Sequence, residues 1–280
     1  MSEENWPVPV GDPLATASAP WLEGKVALIA GGGLSGPEGG VGFALAWLCA
    51  RNAARVAVLD RDPAAGERTV AAIREAGGTA EFFEVDVTDD ESVKTAVDAA
   101  AAHFGRIDVV ADSIGGGGTQ PMFDATPEEF ERGMMLNFTA VWFVLRHAQR
   151  HLGRGGAMVT ISSGAAEGRG PGMSYSFAKS ALEKMSTGAA ASLAPRGIRV
   201  NCVRVGMIWG AFAARGLSAE QRQVRADNVA LKTEGNNWDI ASAAFFLVTE
   251  QARWITGQVV TVDGGGFAPR NMGQAGSAKK

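Results

Sequence analysis

Tyr175 and Lys179 stand four residues apart in Tyr175-Ser-Phe-Ala-Lys179, a spacing that puts both side chains on one face of a helix. An ammonium held beside a phenol lowers its pKa from about 10, making it a usable proton donor and acceptor near neutrality. A tyrosine and a lysine at this spacing are common on solvated helix faces, so the pair needs context. Tyr175 is the only tyrosine in the chain. Twelve residues before it, the run Met158-Val-Thr-Ile-Ser162-Ser163 supplies two hydroxyls suited to holding a carbonyl or alcohol oxygen.

A second group of residues points to a dinucleotide. The run Ala30-Gly-Gly-Gly-Leu-Ser-Gly36-Pro-Glu-Gly-Gly40-Val41-Gly42 opens directly into an apolar helix over residues 43–50. Glycines let a backbone approach a pyrophosphate closely, and a helix N-terminus offers free N–H groups to the anion. Gly36, Gly40 and Gly42 fit GxxxGxG, while Gly31 is the first glycine after the strand. About twenty residues beyond Gly40, Asp60 ends the apolar run Arg55-Val-Ala-Val-Leu-Asp60. A carboxylate there accepts hydrogen bonds from both ribose hydroxyls of NAD and repels the 2′-phosphate of NADP. Arg61 beside it softens that discrimination. The plainer alternative for Asp60 is a cap for the helix near Pro63.

These residues must be positioned by the elements between them. Apolar runs at residues 25–30, 55–59, 80–85, 107–111, 157–162, 198–203 and 258–262 read as buried parallel strands. Helical spacing fills the gaps, including one long helix over 128–152. Thr88-Asp-Asp-Glu91, Thr126-Pro-Glu-Glu129 and Ser218-Ala-Glu-Gln221 match the capping box. The alternation predicts a single-domain α/β fold of Rossmann type, a doubly wound sheet of about seven parallel strands with helices on both faces. Residues 22–267 form this domain, with an N-terminal arm at 1–21, a lid at about 207–230 and a tail at 268–280.

From Leu22 to Phe267 the sequence resembles the short-chain dehydrogenase/reductase family. The resemblance is carried by the glycine turn, Asp60, Asp86-Val87, Gly115, Asn137, Ser163, Tyr175-xxx-Lys179, Arg199-Val-Asn201, Gly206 and the ending Ile255-Thr-Gly-Gln-Val-Val-Thr-Val-Asp-Gly-Gly265. It implies Tyr175 as general acid/base, Ser163 orienting the reacting oxygen, and Lys179 lowering the tyrosine pKa and holding the nicotinamide ribose. It implies further that Asn137 anchors a water linking Lys179 to solvent. Asp86 and Val87 would contact the adenine and Gly206 and Ile208 the nicotinamide amide, with Ser113 and Gly115 also lining the cofactor site. The implied reaction is reversible hydride transfer between NAD and a secondary alcohol/ketone pair. The rivals are reduction of a conjugated double bond and a catalytically silent NAD-binding scaffold.

The sequence departs from the family pattern in four places. About five extra residues separate Gly31 from Gly40. Asp112-Ser113-Ile114-Gly115 replaces Asn-Asn-Ala-Gly, and Val205-Gly206 replaces Pro-Gly, with Gly210 where a threonine is usual. The loop before Tyr175 is one residue short, which leaves Ser162 as an alternative to Ser163.

The 280 residues are 46% hydrophobic with a net charge of -4 and no basic cluster, which argues against nucleic acid or anionic lipid as partner. No apolar run is long enough for a membrane span, and no secretory signal pattern opens the chain. Cys49 and Cys202 sit in apolar runs as small hydrophobes, consistent with a reducing cytoplasm. His147 and His151, four apart, read as helix-packing or exposed residues, and no metal is expected. Phe138, Trp142 and Phe143 read as core or oligomer contact, and the resemblance implies a homodimer or homotetramer. Met207, Ile208, Trp209 and Phe212 in the lid favour a substrate with hydrophobic or ring character.

Overall fold

The computed structural model describes residues 20–117, 120–121, 123–168, 174–210 and 218–266. The arm before residue 20, Phe212 in the lid and the 268–280 tail lie outside the described residues.

Seven parallel strands form one sheet: β1 (Val26–Ala30), β2 (Arg55–Asp60), β3 (Thr79–Glu84), β4 (Ile107–Asp112), β5 (Leu152–Ser163), β6 (Arg199–Val205) and β9 (Val259–Val262). Their order is β3-β2-β1-β4-β5-β6-β9. A two-stranded ribbon, β7 (Ile208–Trp209) with β8 (Gly235–Asn236), lies apart. The central strands are apolar on both faces because both are covered. Ala27 and Ile29 pack under α1 (Val41–Arg51), α2 (Pro63–Glu75) and α8 (Asn237–Val248), whereas Val26, Leu28 and Ala30 pack under α3 (Asp90–Phe104), α5 (Ala140–Ala148) and α6 (Ser174–Leu193). The strand order reverses at β1 and β4, so the crevice beyond their carboxyl ends is where a ligand belongs in this topology.

Two sequence expectations are corrected. The long helix over 128–152 is divided into α4 (Pro127–Met134), one π-helical turn (Met135–Thr139) and α5. It stops because Leu152, buried, pairs with Ile107 and starts β5 five residues early; the glycines that follow are absorbed in a register shift before Ala157 pairs with Val109. The box at Thr88 does not form. Asp89 caps α3 by accepting from Glu91 and Ser92 amides, because the Thr88 amide and hydroxyl are drawn to Asp86. The boxes at Thr126 and Ser218 form as expected, the latter opening α7 (Ala219–Asn228). Among the described residues no helix is long and apolar enough to cross a membrane.

Candidate active site

The glycine turn shows at once why side chains are excluded from it. A Cβ on Gly42, in the first turn of α1, would lie 2.1 Å from the Gly31 carbonyl oxygen and 2.4 Å from Ser113 Oγ. Gly31 itself has φ +73°, which an L side chain rarely adopts. Gly40 is the N-cap of α1 and brings no side chain to it, so the first N–H groups of the helix stay open toward the crevice. Gly36 has open space around its Cβ position and does not line the crevice. Gly33, which the sequence reading passed over, does: a Cβ there would sit 2.6 Å from Asp60 Oδ2. The extra residues of the turn are held by a residue distant in sequence, at the start of α8. Asn237 Nδ2 donates to the Glu38 and Gly39 carbonyls at 3.1 and 3.0 Å. Asn237 in turn occupies the space a side chain on Gly210 would need, 2.3 Å from its Cβ position. Asn237 thus touches both the lengthened turn and the position of Gly210.

Asp60 lies at the end of β2 in the crevice wall, accepting the Gly33 amide on Oδ2 (2.9 Å) and the Asp62 amide on Oδ1 (3.1 Å). The helix-cap role belongs to Asp62, which accepts from the Ala64 and Ala65 amides. Beyond β3, Asp86 accepts the Thr88 hydroxyl at 2.7 Å and its amide at 2.9 Å. These bonds, with Arg61 contributing less, hold its carboxyl below the usual carboxylate range. Arg61, Asp86 and Val87 line this end of the crevice. Ser113 donates to the Ala30 and Gly31 carbonyls, strapping the end of β4 to the glycine turn.

At the other end β5 and α6 bring together the proton-transfer candidates. Ser163 ends β5 and its hydroxyl is hydrogen-bonded to Tyr175. Strand alternation turns Ser162 the other way, onto Glu183 Oε1 at 2.8 Å, inside an ion-pair network that also binds Arg204 Nε to Glu183 (2.8 Å). The open choice between the serines therefore falls to Ser163 on geometry. Lys179 is buried, donating to the Ile161 and Ile114 carbonyls at 2.9 and 3.3 Å, with Nζ 5.8 Å from the centre of the Tyr175 ring. Tyr175 and Lys179 share a helix face as the spacing predicts, but the phenol is not lowered: burial pushes it above its ordinary value, and the Ser163 hydrogen bond only opposes that. Asn137 sits in the π-helical turn. Its Nδ2 donates to Gly133, the i−4 carbonyl that its own amide would take in an α-helix, and to Gly116; its Oδ1 accepts the Gly116 amide at 2.8 Å. The glycine after β4 is required there, since a Cβ on Gly115 would lie 2.9 Å from Asn137 Oδ1 and 3.0 Å from Lys179 Nζ.

One cleft of about 990 Å³ joins both ends, from Asp60 and Asp86 past Gly42 to Ser163 and Tyr175. A family model described as Enoyl-(Acyl carrier protein) reductase matches residues 36–266. The chain is 31% identical to the 7alpha-hydroxysteroid dehydrogenase of Escherichia coli K12 over 253 residues, 89% of this chain and 97% of that one. It is 34% identical to momilactone A synthase of Oryza sativa subsp. japonica, over 91% of this chain and 94% of the other. A short-chain dehydrogenase of Burkholderia cenocepacia J2315, solved in complex with NADP, superposes with a TM-score of 0.80 at 32% identity, covering 88% of this chain and 99% of that one. The chain belongs to the short-chain dehydrogenase/reductase family.

In this short-chain dehydrogenase/reductase the remaining expected residues divide between cleft and scaffold. Gly206 and Ile208 line the cleft; a Cβ on Gly206 would collide with Asp263 at 2.3 Å. Arg199 and Asn201 are scaffold, Arg199 donating to the Leu247 carbonyl in the last turn of α8 at 2.6 Å and Asn201 to the Ile255 carbonyl beyond it at 2.9 Å. His147 and His151 join α5 and the segment after it to α3, each 2.7 Å from a carboxylate, of Asp90 and Asp98. The lid side of the cleft is less apolar than its sequence implies. Arg225 and Asn228 line it beside Met207 and Ile208, and Arg225 donates to the Ile208 carbonyl at 3.1 Å. The helical spacing of α7 alone held no signal for that, because which face of a lid helix turns inward depends on what it closes over.

Proposed function

We propose that this chain catalyses reversible hydride transfer between NAD and a secondary alcohol/ketone pair, with Tyr175 as general acid/base. The reading rests on the convergence of the Tyr175 and Ser163 hydroxyls at one end of a continuous cleft that Asp60 walls at the other. The cleft fits a dinucleotide. Gly33, Gly42 and Gly206 are places where the cleft wall packs too closely on neighbouring elements to admit a side chain, and the uncapped N-terminus of α1 is suited to a pyrophosphate. The bound nicotinamide supplies hydride donation and acceptance. Val41, Ser113 and Gly115 would flank it, and Ile208 would meet its amide.

The protein's own part is orientation and proton movement. Ser163 Oγ would hold the substrate oxygen while Tyr175 Oη delivers a proton to it in reduction or takes one in oxidation. Burial keeps the phenol protonated in the free chain, which suits the reducing direction; oxidation needs the nearby Lys179 ammonium to favour the phenolate. Asn137 pins the Gly116 segment, and its Oδ1 keeps a second lone pair that can receive the water of the proposed solvent link. Asp60 favours NAD by accepting ribose hydroxyls, with Arg61 as the opposing influence. The kinship with a 7alpha-hydroxysteroid dehydrogenase supports a ring-bearing substrate. The exposed aromatics Phe130, Phe177 and Trp142 on α4, α6 and α5 support a homodimer or homotetramer, and the two free buried thiols fit a reducing cytoplasm.

A second reading, reduction of a conjugated double bond, is favoured by the description of the matched family model. Against it stands the spacing of Tyr175 and Lys179, which enoyl reductases of the divergent group widen. The test is turnover of NAD with a panel of ring-bearing secondary alcohols, and of NADH with the matching ketones and enoyl thioesters, in wild type and Tyr175→Phe. The proposal expects alcohol or ketone turnover that falls about a hundredfold or more in the variant at little-changed NADH affinity. Near-normal turnover in Tyr175→Phe, or turnover of the enoyl compounds alone, refutes it; binding with no turnover of any compound supports the scaffold.

A further inference from the structure

Asp112 closes β4 just before the cleft-lining Ser113 and Ile114, and is 1% exposed. It lies on the face of Val110, toward α6, with Thr160 of β5 in register beside it and Cys202 of β6 next in the row. Its Oδ1 accepts the Ile114 amide at 2.9 Å, and its Oδ2, equally buried, has no hydrogen-bond partner. A carboxylate in that state is costly unless a cation stands near it. The cation is Lys179. The two are joined through one residue, because the Ile114 N–H binds the carboxylate and the Ile114 carbonyl accepts from the Lys179 ammonium at 3.3 Å. The family pattern has an amide side chain here, which carries no charge at any pH.

We propose that Asp112 is a positioning residue for the proton transfer: buried at the end of β4 and joined to Lys179 through Ile114, its carboxylate sets the charge state of the ammonium against which Tyr175 works. The clause about Tyr175 rests on the function proposed above; the link between Asp112 and Lys179 does not.

The surrounding groups leave this role to Asp112. From α6 the cleft receives Lys179 and Tyr175, while Glu183 on the same helix is committed to Ser162 and Arg204. From β6 comes Cys202, whose thiol burial pushes up to about 11, so it is neutral at working pH. From β5 comes Thr160, bonded to Ser186, and from the π-helical turn the uncharged Asn137. Burial pushes Asp112 up to about 7, opposed by the Ile114 amide and then by Lys179. Burial pushes Lys179 down to about 8, opposed first by the charge of Asp112. Each partner therefore supports the ionised form of the other.

The sign of the effect follows. Removing the Asp112 charge takes away support for the ammonium, so Lys179 must lose its proton at lower pH. The experiment is a pH titration of the full chain, without cofactor, labelled with [13Cε]lysine and followed by NMR. The Lys179 resonance is assigned by its loss in Lys179→Arg. Asp112→Asn keeps an oxygen to accept the Ile114 amide. The expected result is a Lys179 midpoint lower by about half a pH unit or more in Asp112→Asn, with the alkaline limb of kcat/KM moving the same way. A merely structural Asp112 would lower stability or activity at every pH and leave the midpoint in place; a midpoint unchanged or raised in the folded variant overturns the proposal. Should Asp112→Asn not fold, Asp112→Ser carries the same comparison. Failure of the Tyr175 assignment would show in the turnover of Tyr175→Phe and would leave the lysine titration untouched.

Discussion

Ser162 Oγ donates to Glu183 Oε1 at 2.8 Å, while its neighbour Ser163 turns to Tyr175. Two adjacent hydroxyls at the end of one strand thus serve opposite sides of β5, one in the join between β5, α6 and β6 and one in the cleft. Ser163→Ala is expected to lower kcat about a hundredfold, as loss of an oriented donor at the reacting oxygen does. Ser162→Ala is expected to keep kcat within about threefold but to lose a buried hydrogen bond to a charged group, about 1–2 kcal/mol, read as a drop of a few degrees in Tm. Steady-state kinetics beside thermal melts decide it, and equal kinetic losses in both variants would contradict the assignment.

Asp60 is expected to select NAD. A 2′-phosphate would meet the carboxylate in a partly desolvated crevice, a like-charge contact costing a few kcal/mol and giving roughly a hundredfold preference. The check is kcat/KM for NAD and NADP in wild type and in Asp60→Ala. Asp60→Ala should lose most of the preference; its persistence would put cofactor selection elsewhere. Because Asp60 also accepts the Gly33 amide, the variant should in addition raise the KM for both cofactors.

Gly42→Ala and Gly36→Ala should separate sharply. The added methyl at position 42 would stand 2.1 Å from a backbone oxygen, so α1 must shift away from β1, and NADH affinity should fall at least about tenfold or the chain should fail to fold. Position 36 has open space for a methyl, and Gly36→Ala should bind NADH as wild type does. Fluorescence titration of NADH with each variant is sufficient, and comparable affinities would refute the roles assigned to the two glycines.

Two histidine–carboxylate contacts tie α3 to the α5 region, and they give an acid dependence with a definite sign. The His147 hydrogen bond holds the Asp90 carboxyl below its ordinary value, with Arg146 adding to it, and the His151 hydrogen bond does the same for Asp98, with Lys94 adding to it. Carboxylates lower in the folded than the unfolded chain contribute stability that is complete above the usual carboxylate range and lost as pH falls through the folded value, below about 4. Urea midpoints measured from pH 7 to pH 3 should therefore show wild type above Asp90→Asn/Asp98→Asn at neutrality, with the gap closing in acid. A gap that stays constant with pH would mean that the contacts act through packing rather than charge.

The fold was legible because its signals are local. Runs such as Val26–Ala30 and Arg55–Asp60 are apolar on both faces, and in alternation with capped helices they admit few arrangements besides a covered parallel sheet. The candidate site was legible where a residue's place depends on its own element: Tyr175 and Lys179 through the helix repeat, Asp60 through its position at a strand end. The break at Met135–Thr139 was not legible. The apolar pattern runs through it, and only the Asn137 bonds to Gly133 and Gly116 account for the π-helical turn.

What the sequence by itself determined is the order of elements, the sheet, the dinucleotide cradle at its switch point and the residues that reach the cleft from strand ends and from one helix face. Each follows from a period of two or 3.6 residues, or from a backbone that must come close, and these are properties of short stretches. The tertiary structure alone decided that Ser163 rather than Ser162 meets Tyr175, that Gly33 rather than Gly36 lines the crevice, and that Asn237, nearly two hundred residues away, holds the lengthened turn through Glu38 and Gly39. It also decided that burial raises the Tyr175 phenol and that Ile114 joins Asp112 to Lys179. Burial and charge contact are sums over every element packed around a group, and no stretch of sequence contains that sum.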